Sequence, residues 1–523
     1  MRPTRNPWIY AFALQVSLLC APVYSFCGFY AGKADATLLN TASQVVVVRD
    51  GNRTVLSMLN NYRGALSEFA LIVPTPVVLQ RGQVRVAEKA VFEHLDAYSS
   101  PRLVEYDDTD PCRAEFSWGQ NLNPVFPMSA PLAIASMYAP ESRDRALGVR
   151  VDARYSLEEY DIVSLSAERS DGLEIWLREN GYKIPTGASA ALKPYINQGM
   201  KFFIAKVNVK RLPKTGYTML RPLQFAFESS KFMLPMRLGM LNAPPEEAQD
   251  LIIYVLTREG RVESSNYRTT RLPAEVNLPP FIKPKFQDFY RAMFDTASKG
   301  EDYRGVFTEY FWDMGWCDPC AAQPLSREEL EKLGVSWLGS AAQTVMLTRL
   351  HVRYTPRTFP EDLMFIQTED QQNWQARYIV QNPYGGSIAA CSEKVGMMDC
   401  ATMCNQRVSA VRTALAASKE AIEQPPGASE DNIPTVTVRA FTNSLLVAYR
   451  GKSTEVLQDE CIATCRASKA KGLDAATRYY TRDLPERLAT EKRALARLTG
   501  WSLRDIDAMP GAQSDSPAPS SAW

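Results

Sequence analysis

The chain has 523 residues, 46% of them hydrophobic and 22% charged, with a formal net charge of +1. That length supplies ample core for several domains, and the balance of 59 basic against 58 acidic residues excludes a general electrostatic grip on nucleic acid. Two histidines, His94 and His351, exclude a multi-histidine zinc centre and the His-Glu-x-x-His chemistry of metalloproteases.

The first 25 residues read as a secretory signal. Arg2 and Arg5 form a short basic region, Trp8 to Tyr24 is almost wholly apolar, and Val23-Tyr24-Ser25 precedes a cleavage point. The mature chain is expected to begin near Phe26. An uncleaved N-terminal anchor is the alternative, because the apolar run is close to the shortest length that spans a bilayer. No later segment holds the roughly 18 uninterrupted apolar residues of a transmembrane helix. The expected location is therefore outside the cytoplasm, periplasmic or extracellular, with no membrane span after signal cleavage.

Past the leader, Gln44 to Arg49 and Thr54 to Leu59 flank Asp50-Gly51 as a hairpin. Phe69 to Val73 is a further apolar strand, and Glu88 to Tyr98 reads as a helix. Pro111-Cys112 opens a Pro-rich loop that runs to about residue 140. Gly148 to Tyr155 alternates as a strand, and Ser156-Leu-Glu-Glu159 matches a capping box that opens a short helical turn. Ser170 to Gly181 is a compact helix. Phe202 to Val209, Leu223 to Phe227 and Leu251 to Thr257 are strands. Phe286 to Ala297 is helical, Val306 to Trp312 is a strand, and Ser326-Arg-Glu-Glu329 caps a short helix. Val345 to Tyr354 and Gln375 to Val380 are strands. Gln424-Pro-Pro-Gly427 is a linker, Thr435 to Tyr449 reads as a hairpin turning at Asn443, and Pro485 to Thr499 is a final helix. Pro510 to Trp523 is rich in Ser, Pro and Ala and is expected to be disordered.

The fold class expected from this order is α+β. A large β-rich body with short helices precedes a disulfide-stapled helical-hairpin module that contains a β-hairpin. The expected divisions are a signal peptide at 1–25, a β-rich region at 26–146 and a central α+β region at 147–384. A cysteine-stapled helical module at 385–505 and a tail at 506–523 follow.

Ten cysteines support an oxidising compartment. Cys400 and Cys404, and again Cys461 and Cys465, stand four apart, which puts both sulfurs of each pair on one helical face. Val408, Val411, Leu415 and Ile422 continue the first stripe. Two antiparallel helices would pair Cys400 with Cys465 and Cys404 with Cys461. A four-thiolate zinc site is the sharper alternative, but its ligand pairs normally sit two residues apart on a knuckle. Cys27, Cys112, Cys317 and Cys320 are the other disulfide candidates. Loss of Cys20 with the leader leaves an odd number, and Cys391, outside the helical pairs, is the expected free thiol.

The most tempting motif is Trp316-Cys317-Asp-Pro-Cys320, which resembles the redox motif of thioredoxin-like proteins. That chemistry needs an exposed thiolate at a helix N-terminus. Here Pro324 and the cap at Ser326 place the next helix later, so a structural disulfide is the plainer reading. His94 on a helix and His351 in a strand read as packed structural residues. Tyr106-Asp-Asp-Thr-Asp110 offers hard oxygens for calcium but lacks the glycine-punctuated spacing of a calcium loop. No Gly-x-Ser-x-Gly elbow, dinucleotide loop or Walker loop occurs. No metal site and no cofactor is therefore expected.

Several segments together resemble one family. They include Cys27-Gly-Phe-Tyr30, Arg49-Asp-Gly-Asn-Arg-Thr54, Phe69-Ala-Leu-Ile-Val-Pro74 and His94-Leu-Asp-Ala-Tyr98. Asp110-Pro-Cys112, Ser170-Asp-Gly-Leu173, Gly199-Met-Lys-Phe-Phe203, Leu220-Arg-Pro-Leu223 and Cys317-Asp-Pro-Cys320 complete the set. Over roughly residues 27–380 the chain is similar to the bacterial exported proteins of the domain-of-unknown-function 2330 family (DUF2330). The resemblance implies export and a β-rich body, and it carries no catalytic residue across. The expected function is a non-enzymatic envelope binding or scaffold protein, with an unidentified envelope protein or ligand as partner. The alternative is a thiol–disulfide redox protein acting through Cys317 and Cys320.

Overall fold

The computed structural model describes residues 29–32, 39–63, 69–113, 149–180, 182, 184, 187–211, 221–242, 248–317, 322–339, 344–423, 449 and 451–512. The expected leader, Cys20, Cys27, the Pro-rich loop from 114 onward, Cys320, the 424–427 linker, the 435–448 part of the hairpin and the tail from 513 lie outside these residues. The protein is α+β, as the sequence predicts, and divides into two compact units. Unit 1 comprises Met1–Pro101, Pro131–Leu272 and Ser298–Ala376; unit 2 comprises Arg102–Ala130, Pro273–Ala297 and Arg377–Trp523.

In unit 1 the run Val45 to Val48 explains the architecture. Successive strand residues point to opposite faces, so four buried valines in a row require cover on both sides. Their strand, Leu39–Asp50, lies inside a nine-stranded sheet. It pairs antiparallel with Arg53–Arg63 across the Gly51 turn, and parallel with Gln249–Thr257. Val45 and Val47 share a core cluster with Leu71, Val73, Phe203 and Ala205 of a five-stranded antiparallel sheet. Val46 and Val48 pack on the other side against Val91, Phe92 and Leu95 of helix Lys89–Ser99 and Leu330 of helix Arg327–Leu333. The outer face of the five-stranded sheet, through Ile72, Phe202 and Ile204, packs on Leu173 and Leu177 of Ser170–Glu179 and on Leu192 and Tyr195 of Ala188–Asn197. Unit 1 is thus four layers deep: helix, sheet, sheet, helix.

One expected element is corrected. Ser156 to Glu159 opens no helix. Strands Val149–Leu157 and Tyr160–Ala167 pair directly through a tight turn at Glu158, which has φ 51°. Alternation of apolar residues continues on both sides of the Ser-x-x-Glu spacing, and the ladder hydrogen bonds of a hairpin win over the isolated cap.

Unit 2 holds a parallel three-stranded sheet, ordered Val276–Leu278, Arg377–Asn382, Arg102–Asp107. Its helices include Ile388–Gly396, Cys400–Glu423, Thr454–Arg478, Leu484–Thr499 and Leu503–Asp507. A five-residue π-turn at Tyr479–Asp483 separates two of them, and Pro485 is the second residue of the helix that follows. Proline cannot donate to the preceding turn, and a local widening of the helix accommodates it. Among the described residues, no helix is long and apolar enough to cross a membrane.

Candidate functional site

The cysteines of unit 2 form a buried framework. Helices Cys400–Glu423 and Thr454–Arg478 are joined twice, by Cys400–Cys465 with Cα atoms 5.8 Å apart and by Cys404–Cys461 at 5.7 Å. The first cysteine of one helix bonds the second of the other, so the helices run antiparallel. Val408 and Leu457 pack beside the sulfurs. The third bridge overturns an expectation: Cys391 is not free but bonds Cys112, 279 residues away. Both pack with Val395, Tyr480, Leu484 and Leu488. Spacing could not reveal this bond, because Cys112 stands in a turn and its partner on a different helix.

The acidic run before Cys112 is committed to neighbouring side chains. Asp108 accepts hydrogen bonds from the Tyr479 hydroxyl and, at 2.8 Å, from Arg487 Nη1. Burial opposes ionisation of Asp108, yet these bonds hold its carboxyl below the usual range. Burial first, and then the bond to Asp108, pushes the Tyr479 phenol up to about 12. Asp110 pairs with Lys394 and accepts from the Cys112 amide at 2.8 Å. Among the described residues, no group of three His, Cys, Asp or Glu side chains is disposed to hold a metal ion.

In unit 1, strand Val306–Asp313 leads into the tryptophan-cysteine motif. Cys317 is held in a disulfide and is partly buried. Trp316 beside it is half exposed, its ring 5.0 Å from Trp312 in an edge-on contact. The Tyr98 hydroxyl donates to the Trp316 carbonyl at 3.3 Å. Among the described residues, the next helix starts at Arg327, behind a complete capping box of Ser326 and Glu329.

Both histidines are engaged by protein groups. His94 Nδ1 lies 2.7 Å from Glu329 Oε1 and Nε2 lies 2.8 Å from the Gln323 carbonyl, so it ties its helix to the neighbouring cap. Burial works against the charge on Glu329, but bonds from His94 and Ser326 draw its carboxyl down to about 2.

His351 sits in a buried chain of alternating charge that sequence reasoning missed. Its Nδ1 is 2.6 Å from Glu309 Oε1, and its Nε2 is 3.4 Å from Asp250 Oδ1. Asp250 takes two bonds from Arg353, each 2.7 Å. At the other end Glu309 takes Arg349 Nε at 2.5 Å, and Arg349 Nη1 reaches Asp96 at 2.6 Å. Tyr254 donates to the same Asp96 oxygen at 2.7 Å. Glu309 occupies a bulge between Thr308 and Tyr310, and a bulge re-aims the side chain of the extra residue. An ionised carboxylate only accepts hydrogen bonds, so Glu309 at Nδ1 and Asp250 near Nε2 both favour the imidazolium form. Desolvation lowers the His351 pKa, but the charge of Glu309 and the contacts with Asp250 outweigh it and raise it. The stabilisation is therefore complete below the ordinary histidine pKa and is lost as pH rises through the raised one. Arg349, His351 and Arg353 stand at every second residue of one strand, which was visible in the sequence. Their carboxylate partners come from other elements and were not.

The sequence profile of a family described as "Uncharacterized protein conserved in bacteria (DUF2330)" matches residues 21–366, and the chain belongs to that family. No curated protein and no solved structure matches the chain.

Proposed function

We propose that this DUF2330 protein is exported and acts in the bacterial envelope as a non-enzymatic binding or scaffold protein. The observation that carries the reading is the set of three disulfides in unit 2, all between buried cysteines. Cytosolic reductants keep thiols reduced, so such a framework fits an oxidising compartment. The two histidines offer no support for acid–base catalysis. His94 has both nitrogens hydrogen-bonded to protein groups, and His351 is buried between Glu309 and Asp250, so neither ring is presented to a substrate as a general base.

The test is expression of the full chain with its own N-terminus in a bacterial host, followed by fractionation, N-terminal sequencing and disulfide mapping. The expected product starts near Phe26, leaves with the periplasmic or extracellular fraction, and yields the three bridged peptides without reductant. An intact N-terminus in the cytosol, with alkylatable cysteines, would overturn the reading.

A second reading, thiol–disulfide exchange at Cys317, is favoured by one observation. Cys317 is bonded and only partly buried beside the half-exposed Trp316. Accessible disulfides are the labile ones. A mild thiol pulse on the native protein separates the readings. Opening of the Cys317 bond while the unit 2 bridges persist supports exchange chemistry; resistance of all of them removes it.

A further inference from the structure

Unit 1 carries a cleft of about 260 Å³ between one end of the nine-stranded sheet and the C-terminal end of helix Arg327–Leu333. Arg53, from strand Arg53–Arg63, and Arg85, from strand Val84–Val86, both line it. Arg85 donates to Gln224 through Nε, and through Nη2 to the carbonyls of Glu331 at 3.2 Å and Lys332 at 2.7 Å. Arg53 Nη1 donates to the Gly334 carbonyl at 3.2 Å and to Ser336 Oγ at 3.0 Å.

These bonds satisfy the end of the helix, but they do not balance the charge. A helix C-terminus is equivalent to about half a negative charge, against two guanidinium charges here. The remaining donors, Nε and Nη2 of Arg53 and Nη1 of Arg85, take no partner among the described residues. Neither arginine has a carboxylate partner among them. The one carboxylate lining the cleft, Glu331, is 3.7 Å from Arg327. Lys332, at the same helix end, is occupied by Glu88 and Glu328. Desolvation, and next the charge of Arg53, lower the Arg85 pKa, as expected for two neighbouring cations.

We infer that this cleft binds a small oxyanion, a carboxylate or phosphate group, held by the open edges of the Arg53 and Arg85 guanidiniums with the Ser336 hydroxyl beside them. The planar fork of arginine matches both groups. The volume lies just below the roughly 300–1,000 Å³ of pockets for drug-sized ligands, which limits the occupant to a compact anion. The backbone carbonyls hold both side chains in place before any ligand arrives, which reduces the ordering cost of binding.

The experiment is calorimetric titration of the full chain with inorganic phosphate and, separately, with succinate, each against sodium chloride at matched ionic strength. Saturable binding beyond the chloride control is expected for at least one anion. Arg53→Gln should weaken it at least tenfold and Arg53→Lys by less. Arg53 is the residue to change because it holds a single helix carbonyl, whereas Arg85→Gln removes two and can disturb the fold. Far-UV circular dichroism and the unfolding midpoint check each variant. Binding of phosphate alone, succinate alone or both supports the site and names the group it takes. No saturable binding of either, or binding that Arg53→Gln leaves unchanged, overturns it.

Discussion

The two bridges between the helices of unit 2 are nested, and nesting makes their contributions unequal to a simple sum. Cys400–Cys465 closes a separation of 65 residues and Cys404–Cys461 one of 57 inside it. In the chain-entropy account, either bridge alone stabilises the folded state by about 4 kcal/mol. Once one is present, the other closes only a small ring, roughly eight residues around, worth about 2.5 kcal/mol. Replacing one pair by alanine should therefore cost about 2.5 kcal/mol from this source, whichever pair is chosen. Replacing both should cost about 7 kcal/mol, with the larger loss at the second step. Hydrogen exchange read by mass spectrometry on peptides from 400–423 and 454–478 reports this locally, without interference from unit 1. Equal losses at both steps, or complete loss of protection on removing one pair, would refute the nested-loop reasoning.

The remaining predictions concern single side chains. His351→Gln leaves Glu309 and Asp250 facing an uncharged group and should destabilise unit 1 by about 3–5 kcal/mol. In the unaltered protein, stability should decline as pH rises through the raised His351 pKa; a ring proton resonance, assigned with His94→Gln, that titrates at or below the ordinary histidine value would contradict this. Tyr479→Phe removes the bond to Asp108 and the acceptor for the Tyr384 amide, and urea unfolding should register a loss of about 1.5–3 kcal/mol. Gly334 has φ +103° and no room for a side chain, since an added Cβ would stand 2.6 Å from a Val55 methyl. Gly334→Ala should lower the thermal midpoint, with a loss of about 1–3 kcal/mol.

What the sequence made legible follows from the range of each interaction. The spacing of Cys400, Cys404, Cys461 and Cys465 already implied two stapled helices, because four residues make one helical turn. The β-branched run from Gln44 to Arg49 likewise marked the first strand of a hairpin, though not that it is buried on both faces. Which elements cover those faces was not legible, since strand Leu39–Asp50 lies parallel to Gln249–Thr257, some two hundred residues later. The same distance hid the Cys112–Cys391 bridge and the carboxylates around His351. The Ser156 to Glu159 error is of another kind: a cap motif was present, but the pairing of two flanking strands outweighed it.

The Cys112–Cys391 bond bears on how the protein is made. A chain delivered from its N-terminus presents Cys112 long before Cys391 exists outside the ribosome or the translocation channel. Cys317 and Cys320 arrive in the interval. If the chain is exported as proposed, an oxidase that joins thiols in their order of appearance would join Cys112 first to Cys27, Cys317 or Cys320. From such a pair the native bond is reached by exchange, and only once residue 391 of the 523 has emerged. The yield of correctly bonded protein should thus depend on a disulfide isomerase, and strains without one should accumulate Cys112 in early, non-native pairs.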